Sequence, residues 1–597
     1  MAEKKSLPTR EQADAAFLWH TQDIFESDEQ FLKALEQLKG CAGELAAFQG
    51  TLGDAQTLLR CLRLMEQTEE LAGNVGSYAA LKSDQDTANP VYQGYVGLVS
   101  SAGVELSAAT AYFTPEILAL GDRVDDMIKA CPELALYRKY LDDILRQKAH
   151  ILPEREERLL SLTGEMAGAA EEAFSMLNDA DMRFGEITGE DGEPVTLTHG
   201  RYIHFLESTD RRVRKEAFET LYRAYEQHSN TLASLLCAHE RKNKFYKQAR
   251  GYKSCLEMCL FSGDIPESVY HSLIKAVHGA FPAFYDYMAL RRRALGLEQL
   301  HMYDLYVPVT ENPYQGITYE QAFELVFKAL APLGEEYVSL LHRARDEGWI
   351  DVYENQGKRS GAYSNGTPTC HPFVLLNHQD NLESVFTLAH ELGHAMHSYF
   401  SNREQPPIYR GYSIFVAEVA STVNEALLLR YLEKEAGRDR KKRAYLCNHA
   451  LEQFRATLFR QTMFAEFELK THEIVEGGAS LTAELLDELY GSLCADYFGS
   501  GVVLDSQIRK EWSRIPHFYY DFYVYQYATG FAAAQALSQR ILEQGGAEDY
   551  LRFLSLGSRV PPLEALRVAG VDLATPAPVQ QALELFAQRV KQLGSLL

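Results

Sequence analysis

The segment His390-Glu391-Leu392-Gly393-His394 has the strongest chemical signal in the chain. Residues four apart on a helix lie one turn above each other, so both imidazoles point toward one place and Glu391 can reach a water molecule held there. A zinc peptidase needs two neutral nitrogen ligands and a carboxylate that accepts a proton. The spacing therefore predicts a metal site, with His390 and His394 as ligands and Glu391 as the general base.

A catalytic zinc ion needs a third protein ligand, and the chain offers two candidates. His397 shares the helical face, but three successive turns of a straight helix form a row and cannot surround an ion tetrahedrally. Glu418 lies among apolar residues in a helix that is predicted to start after a break at 401–411. A carboxylate there is costly unless a charge pairs with it, so we predict Glu418 as the third ligand. For His397 we predict a role in packing or in supporting a ligand from outside the metal's ligand set.

Glu425 lies seven residues after Glu418 and therefore on the same helical face. A carboxylate in that position can accept the free N–H of a ligand histidine, which fixes the tautomer and orientation of the imidazole. We predict this supporting role for Glu425. The alternative, a solvated or salt-bridged glutamate, stays open.

The elements that must position these residues are mostly helical. A helix is predicted from Asp380/Asn381 to Phe400, and its apolar residues surround it almost completely, which indicates burial. The run 372–376 is typical of a short strand, and 184–198 of a small hairpin. We expect a mostly α protein with small β elements near the active site, an N-terminal helical domain at 1–200 and a catalytic domain at 201–597.

Composition excludes several other classes of protein. The 597 residues carry a net charge of −24 and are 46% hydrophobic, so wholesale disorder is excluded. No Lys/Arg run would follow a phosphate backbone, and no apolar stretch approaches the length of a membrane-spanning helix. The polar start lacks the apolar core of a signal peptide, and the nine cysteines are scattered. We therefore expect a cytoplasmic protein with reduced thiols and no nucleic-acid or membrane partner.

Several segments resemble one known family. HELGHAMHSYF (390–400), followed after 23 residues by the Glu of FVAEVAST, resembles the thimet oligopeptidase-like zinc metallopeptidases (family M3), and within them most closely oligoendopeptidase F. The gap of 23 residues is longer than in the aminopeptidase and thermolysin branches. The other segments that carry the resemblance are GKRSGAYS (357–364), FVLLN (373–377), DNLESVFTL (380–388) and RIPHFYYDFYVYQYATGFAAAQAL (514–537).

The resemblance implies a two-lobed helical oligopeptidase that encloses a deep channel, binds one zinc ion and cleaves internal bonds of short oligopeptides. A peptide would pair with the backbone of the FVLLN strand at Phe373 and Val374. Tyr525 would bind the developing oxyanion, and His517 would be a histidine of the cleft. Tyr520 is taken as a second substrate-binding tyrosine.

Two competing functions stay open at this point: an M3-like dipeptidyl carboxypeptidase and a non-catalytic helical metal-binding protein. The sequence also leaves open whether Tyr519 or Tyr523 contacts substrate in place of Tyr520, and whether Cys370 makes the protein sensitive to thiol reagents. Cleavage preference, peptide length limit, physiological substrates and oligomeric state do not follow from the sequence.

Overall fold

The fold is mostly helical. A computed structural model describes residues 7–597; the first six residues, part of the polar N-terminal stretch discussed above, lie outside the described residues. Helices contain 72% of the residues and strands 3%. This composition confirms the prediction of a mostly α protein with small β elements. Within the described range, no helix is long and apolar enough to cross a membrane.

The chain forms two compact units, and each unit is assembled from three separate segments. The first unit contains the residues up to Ala149, Tyr314–Tyr431 and Leu537–Val571; the second contains His150–Pro313, Leu432–Ala536 and Asp572–Leu597. Because neither unit is continuous in sequence, they do not test the domain boundary predicted near residue 200, which stays a prediction.

The first unit contains two groups of helices with a small sheet between them in sequence. Its helices are Asp28–Ala46, Ala55–Gln85, Pro90–Thr110, Phe113–Leu120, Arg123–Ala130, Arg138–Arg146, Tyr319–Leu330, Glu335–Asp346, Leu382–Glu404, Ala547–Leu554 and Pro562–Val568. Two further helices, Ile414–Ala436 and Tyr525–Gln544, contain a unit boundary. Phe31, Leu35 and Leu38 are buried in one core, as their helical spacing predicts.

The sheet of the first unit has three short strands in the order Ile350–Asp351, Phe373–Leu375, Tyr363–Asn365. The middle strand pairs parallel with Ile350–Asp351 and antiparallel with Tyr363–Asn365. Phe373–Leu375 confirms the strand predicted at 372–376. Because it is central, both of its edges are occupied.

The second unit is built almost entirely from helices. They are Glu154–Leu162, Gly164–Ala167, Ala169–Ser175, His199–Leu206, Arg211–Gln227, Ser229–Ala249, Cys255–Phe261, Glu267–Gly279, Phe281–Ala294, Arg440–Gln453, Arg460–Glu476, Ala483–Phe498 and Ala577–Leu596. Glu186–Thr188 and Pro194–Thr196 form the predicted antiparallel hairpin, and Leu300–His301 pairs parallel with Val502–Val503.

A side-chain cap explains where one of the two functionally important helices begins. The Asn381 side chain accepts a hydrogen bond from the Ser384 N–H and starts the helix Leu382–Glu404, as predicted. The helix Ile414–Ala436 begins after the predicted break and carries Glu418. These two helices hold the candidate site.

Candidate metal centre

Two helices of the first unit approach each other closely at the HExxH segment. A Cβ atom on Gly393 would lie 2.6 Å from the Cα of Ser421, a distance that real Cβ atoms do not show, so only glycine allows this approach. Next to it, the Asn424 side chain donates a hydrogen bond of 3.0 Å to the carbonyl of Ala389. The glycine of the motif therefore sets the distance between the two elements that carry the site.

The side chains of His390, His394 and Glu418 converge on one point. The Nε2 atoms of the two histidines are 3.2 Å apart, and the Glu418 Oε2 lies 3.5 Å from one and 3.6 Å from the other. Tetrahedral ligands that hold zinc at about 2.0–2.1 Å are about 3.3 Å apart. The three donor atoms thus already have the spacing that a tetrahedral ion requires, with a fourth position left for a water molecule or substrate.

Glu425 supports one of the histidines. Its Oε1 lies 2.5 Å from the Nδ1 of His390, so the Nδ1–H donates to the carboxylate while Nε2 faces the convergence point. Burial alone would lower the pKa of His390, but Glu425 raises it to about 9. Burial lowers the pKa of His394 to about 3, which keeps that imidazole neutral. A cation that binds here displaces the proton from His390, since ligand histidines are neutral.

Glu391 has the properties of a general base. Its side chain is buried, and its Oε2 has no hydrogen-bond partner in the part of the chain that the structure describes. Burial raises its pKa to about 7. A carboxyl group with a pKa near the working pH can both accept and return a proton efficiently.

His397 does not join the three converging side chains. It is 1% exposed, and its ring stacks on Tyr412 with the ring centres 3.7 Å apart. It packs one turn beyond the three converging side chains.

The expected peptide-binding role of Phe373 and Val374 is wrong as stated. Both residues are fully buried, and the strand that contains them is paired on both edges. No backbone group of that strand is available for a third partner. The sheet has two edge strands, and residues 17–20 flank the outer side of Ile350–Asp351, where His20 N–H donates to the Gly348 carbonyl and Val352 N–H donates to the Phe17 carbonyl. The more open edge is that of Tyr363–Asn365, a half-buried strand that packs against the helix Leu382–Glu404.

In the second unit, the structure contradicts the expectation that Tyr525 offers its phenol to a substrate. Tyr525 is 2% exposed and packs against Tyr270, with ring centres 5.0 Å apart. Two residues further along the same helix, Tyr527 is partly exposed, and its hydroxyl lies 3.5 Å from the Nε2 of His517. Tyr527, which the sequence analysis does not single out, is therefore an accessible phenol next to His517. Positions 525, 528 and 529 form the buried stripe of this helix, and that periodicity was the available signal.

The other tyrosines of this segment also differ in how exposed their side chains are. Tyr520 is 47% exposed and Tyr523 is partly exposed, and both rings lie near His517, with ring centres 5.7 and 6.4 Å away. Tyr519 is buried against Phe174. His517 is thus surrounded by the accessible phenols Tyr520, Tyr523 and Tyr527.

A buried polar cluster holds this segment in a strained turn. Asp521 and Phe522 have φ values of +52° and +58°, a region that residues with side chains rarely adopt. The Asp521 carboxylate accepts hydrogen bonds from His239 (2.7 Å) and Asn243 (2.6 Å), and the N–H of Phe522 donates to Glu468 (2.6 Å). These contacts compensate for the backbone strain of about 1–3 kcal/mol per residue.

Cys370 is half-buried, and burial raises the pKa of its thiol to about 11. Only a small fraction is therefore the reactive thiolate at neutral pH. This favours the interpretation of Cys370 as a structural cysteine.

The arrangement of the first unit is that of the HExxH metallopeptidases: two histidines one helical turn apart, a glutamate between them and a carboxylate from a second helix. The fold and the site therefore define a class of metal-dependent hydrolase.

Comparison with known proteins identifies the family. The sequence model of peptidase family M3 matches residues 204–585, and the model described as Oligopeptidase F matches residues 116–184. The chain belongs to peptidase family M3, and it is a metal-dependent peptidase.

Relatives cover almost the whole chain. Oligopeptidase PepF of Bacillus subtilis is 44% identical over 100% of this chain and 90% of its own length, and Group B oligopeptidase PepB of Streptococcus agalactiae is 39% identical over 98% of both. Oligoendopeptidase-F from Enterococcus faecium is 39% identical, with a TM-score of 0.74 over 95% of this chain and 99% of that chain. A solved structure from Chlamydophila abortus is 33% identical, with a TM-score of 0.92 over 99% and 100%.

Proposed function

We propose that the protein is a zinc-dependent endopeptidase that hydrolyses internal peptide bonds of short oligopeptides. The observation that carries this proposal is the convergence of His390, His394 and Glu418 beside the buried carboxylate of Glu391, whose Oε2 has no hydrogen-bond partner among the described residues. The relatives named oligopeptidase and oligoendopeptidase support the substrate class.

Zinc is the ion that this donor set favours. Two imidazole nitrogens and one carboxylate oxygen are typical of catalytic zinc, whereas calcium and magnesium prefer oxygen ligands alone. The donor separations of 3.2–3.6 Å suit a tetrahedral ion. A zinc ion held there supplies Lewis acidity, which activates water and polarises the scissile carbonyl.

Glu391 carries out the proton transfers. Its carboxylate takes a proton from the attacking water and then passes that proton to the leaving amine, so that the glutamate is regenerated. Burial raises its pKa, which makes it a stronger base than an exposed carboxylate. Glu425 holds His390 in the tautomer that directs Nε2 toward the ion.

For the peptide, we propose the edge strand Tyr363–Asn365 in place of Phe373 and Val374. An extended peptide can add to a free sheet edge through main-chain hydrogen bonds, and this strand is paired on its inner side only in the described sheet. It also packs on the helix that carries His390 and His394. The predicted roles of His517 and Tyr520, the two-lobed channel and the cytoplasmic location stay predictions.

The decisive experiment compares Glu391→Gln with the wild type. The variant keeps the ligand set and should bind one equivalent of zinc, measured by atomic absorption, but it should lose at least about 99% of the turnover of an internally quenched fluorescent peptide. Glu404→Gln, an exposed glutamate on the same helix, is the control and should keep full activity. Near-normal hydrolysis by Glu391→Gln would show that the general base is elsewhere.

Mass spectrometry of the products tests whether cleavage is internal. A peptide with acetylated N-terminus and amidated C-terminus should still be cut. If only peptides with a free C-terminal carboxylate were cut, two residues from that end, the dipeptidyl carboxypeptidase alternative would replace the endopeptidase.

A further inference from the structure

The first unit contains a cavity of about 360 Å³ next to the C-terminal half of the helix Leu382–Glu404. Three parts of that unit form its wall: the helix Ala55–Gln85, the loop that follows the edge strand Tyr363–Asn365, and the segment 398–412. The volume lies within the usual range of about 300–1,000 Å³ for ligand pockets. The cavity is therefore large enough to hold a long side chain.

The cavity continues the row of side chains that begins at the metal centre. Ser398 and Asn402 line it. They follow His394 at intervals of four residues, so they extend the helical face that carries this ligand. A helix rises about 1.5 Å per residue, which places Ser398 about 6 Å and Asn402 about 12 Å beyond His394 along the axis. The cavity therefore lies within a few peptide residues of the metal centre.

A tyrosine on the cavity wall lies close to the third predicted ligand. The hydroxyl of Tyr412 is hydrogen-bonded to that of Ser398 at 2.8 Å. Burial raises the pKa of Tyr412, and the charge of Glu418 raises it further. The cavity and the metal centre are thus neighbours within the first unit.

The cavity also lies at one end of the edge strand proposed for the peptide. Gly366 directly follows Asn365, and a Cβ atom on Gly366 would lie 2.6 Å from the Cβ of Ser398. On the other side of this loop, a Cβ atom on Gly73 would lie 2.5 Å from the Pro368 side chain. The two glycines therefore let the loop fit between two helices just past the strand. Because an extended residue spans about 3.3 Å, a side chain in the cavity belongs about two to four residues from the cleaved bond.

One carboxylate of the cavity has no cation paired with it. Glu70 accepts a hydrogen bond of 2.6 Å from Arg410, and both residues line the cavity. Glu69 also lines it and makes no hydrogen bond or ion pair among the described residues. Although Glu69 is exposed, the surrounding protein removes part of its hydration, and this effect and the charge of Glu66 raise its pKa more than Arg410 lowers it. A cation beside Glu69 would relieve this repulsion between carboxylates.

An anionic ligand fits this charge pattern less well than a cation. The Arg410 side chain is only 22% exposed, and its guanidinium is already paired with Glu70. An anion that approached Arg410 would also be repelled by the carboxylate of Glu69. Pro368 and Pro407 supply an apolar part of the wall. A long basic side chain can pack its methylene stem on such a surface while its charged end reaches a carboxylate.

We propose that this cavity is a subsite for a cationic group of the peptide substrate and that Glu69 selects this group. The proposal rests on the endopeptidase function proposed above. Two parts of a peptide carry such a group: the side chain of a lysine or arginine, and the free N-terminal amine. The apolar wall beside the carboxylate favours the side chain, since the amine has no methylene stem.

A set of peptides with acetylated N-termini tests the proposal. Each carries lysine at the second, third or fourth residue on one side of the cleaved bond, and its partner carries norleucine at the same position. At one of these positions we expect lysine to raise kcat/KM at least about threefold, because an ion pair with Glu69 forms. A norleucine peptide that begins at that position with a free amine is the second arm. A gain there in place of the gain from lysine assigns the subsite to the N-terminal amine.

Substitutions locate the preference. Glu69→Gln should bring the lysine-to-norleucine ratio of kcat/KM to about one, and Glu69→Lys should make glutamate the preferred residue at that position. Glu44→Gln removes the same charge from an exposed glutamate on the helix Asp28–Ala46 of the same unit and should keep the wild-type ratio. Each ratio compares two peptides with one enzyme, so a loss of folded protein does not change it.

A binding measurement separates this proposal from the function on which it rests. Isothermal titration calorimetry should show that Glu391→Gln binds the cationic peptide at least about threefold more tightly than its neutral partner. If the wild type cleaves cationic and neutral peptides equally well, or if Glu69→Gln keeps the preference, the subsite is wrong and the endopeptidase stands. If the wild type cleaves neither peptide but Glu391→Gln prefers the cationic one, the endopeptidase fails and the cation site stands. Equal binding of both peptides overturns the subsite in either case.

Discussion

Removing Glu425 should lower the affinity for zinc without removing a ligand. Its Oε1 lies 2.5 Å from the Nδ1 of His390, and both side chains are partly buried, at 18% and 28% exposure. Solvent therefore screens this contact less than a surface ion pair, which is typically worth about 0–1 kcal/mol. Loss of such an outer partner weakens metal binding by about 10- to 100-fold, or about 1.4–2.7 kcal/mol.

The assay is a competition titration of Glu425→Ala against a chromophoric chelator of known affinity. Glu425→Gln should lie between the alanine variant and the wild type, because an amide oxygen still accepts the N–H but carries no charge. At saturating zinc all three proteins should regain most of their peptidase activity, since the ligand set is intact.

The control is Glu435→Ala, an exposed glutamate on the same helix, which should bind zinc like the wild type. Melting temperatures in excess zinc show that each variant is folded. If Glu425→Ala bound zinc within about twofold of the wild type, the hydrogen bond to His390 would contribute nothing to the site, contrary to the magnitude expected for such a contact.

Three further substitutions test other parts of the structure. Gly393→Ala should cost about 1–3 kcal/mol in denaturant unfolding and also weaken zinc binding, because the added methyl group pushes against the Ser421 backbone; unchanged values would contradict the close approach. Tyr527→Phe should lower kcat/KM at least about tenfold while Tyr525→Phe, on the buried face, should not; the reverse order would reinstate Tyr525. Burial raises the pKa of Glu468 to about 8, so the folded protein keeps a proton that the unfolded chain releases near 4.5, and stability should fall between pH 5 and 8. Glu468→Gln should flatten that fall in urea titrations at pH 5, 6.5 and 8; an unchanged slope would show that Glu468 is not its source.

Local sequence signals were sufficient for the helices that carry the metal centre. Asn381 has the type and position of a helix cap, and the i, i+4 spacing of His390 and His394 specifies one helical face. Glu418 could be predicted because a carboxylate in an apolar environment requires a charged partner. These features depend on few residues that are close in sequence, so pattern and elementary energetics determine them.

The arrangement of residues that are distant in sequence could not be predicted in the same way. The strand Ile350–Asp351 has only two residues, too few to show an alternating pattern, yet it occupies one edge of Phe373–Leu375 and makes that strand central. The cluster of His239, Asn243 and Glu468 around the turn at Asp521 is likewise assembled from distant parts of the chain. No local pattern connects such distant residues, since tertiary packing alone brings them together.

The three-residue length of the edge strand Tyr363–Asn365 has a consequence for solubility. An unpaired sheet edge is a template for other chains, and long edges promote aggregation between copies. With three residues, and with an ordered partner only on its inner side, this edge offers too few backbone groups to join two large proteins stably. A protein that exposes an edge can thus stay dispersed in solution when the edge is kept this short.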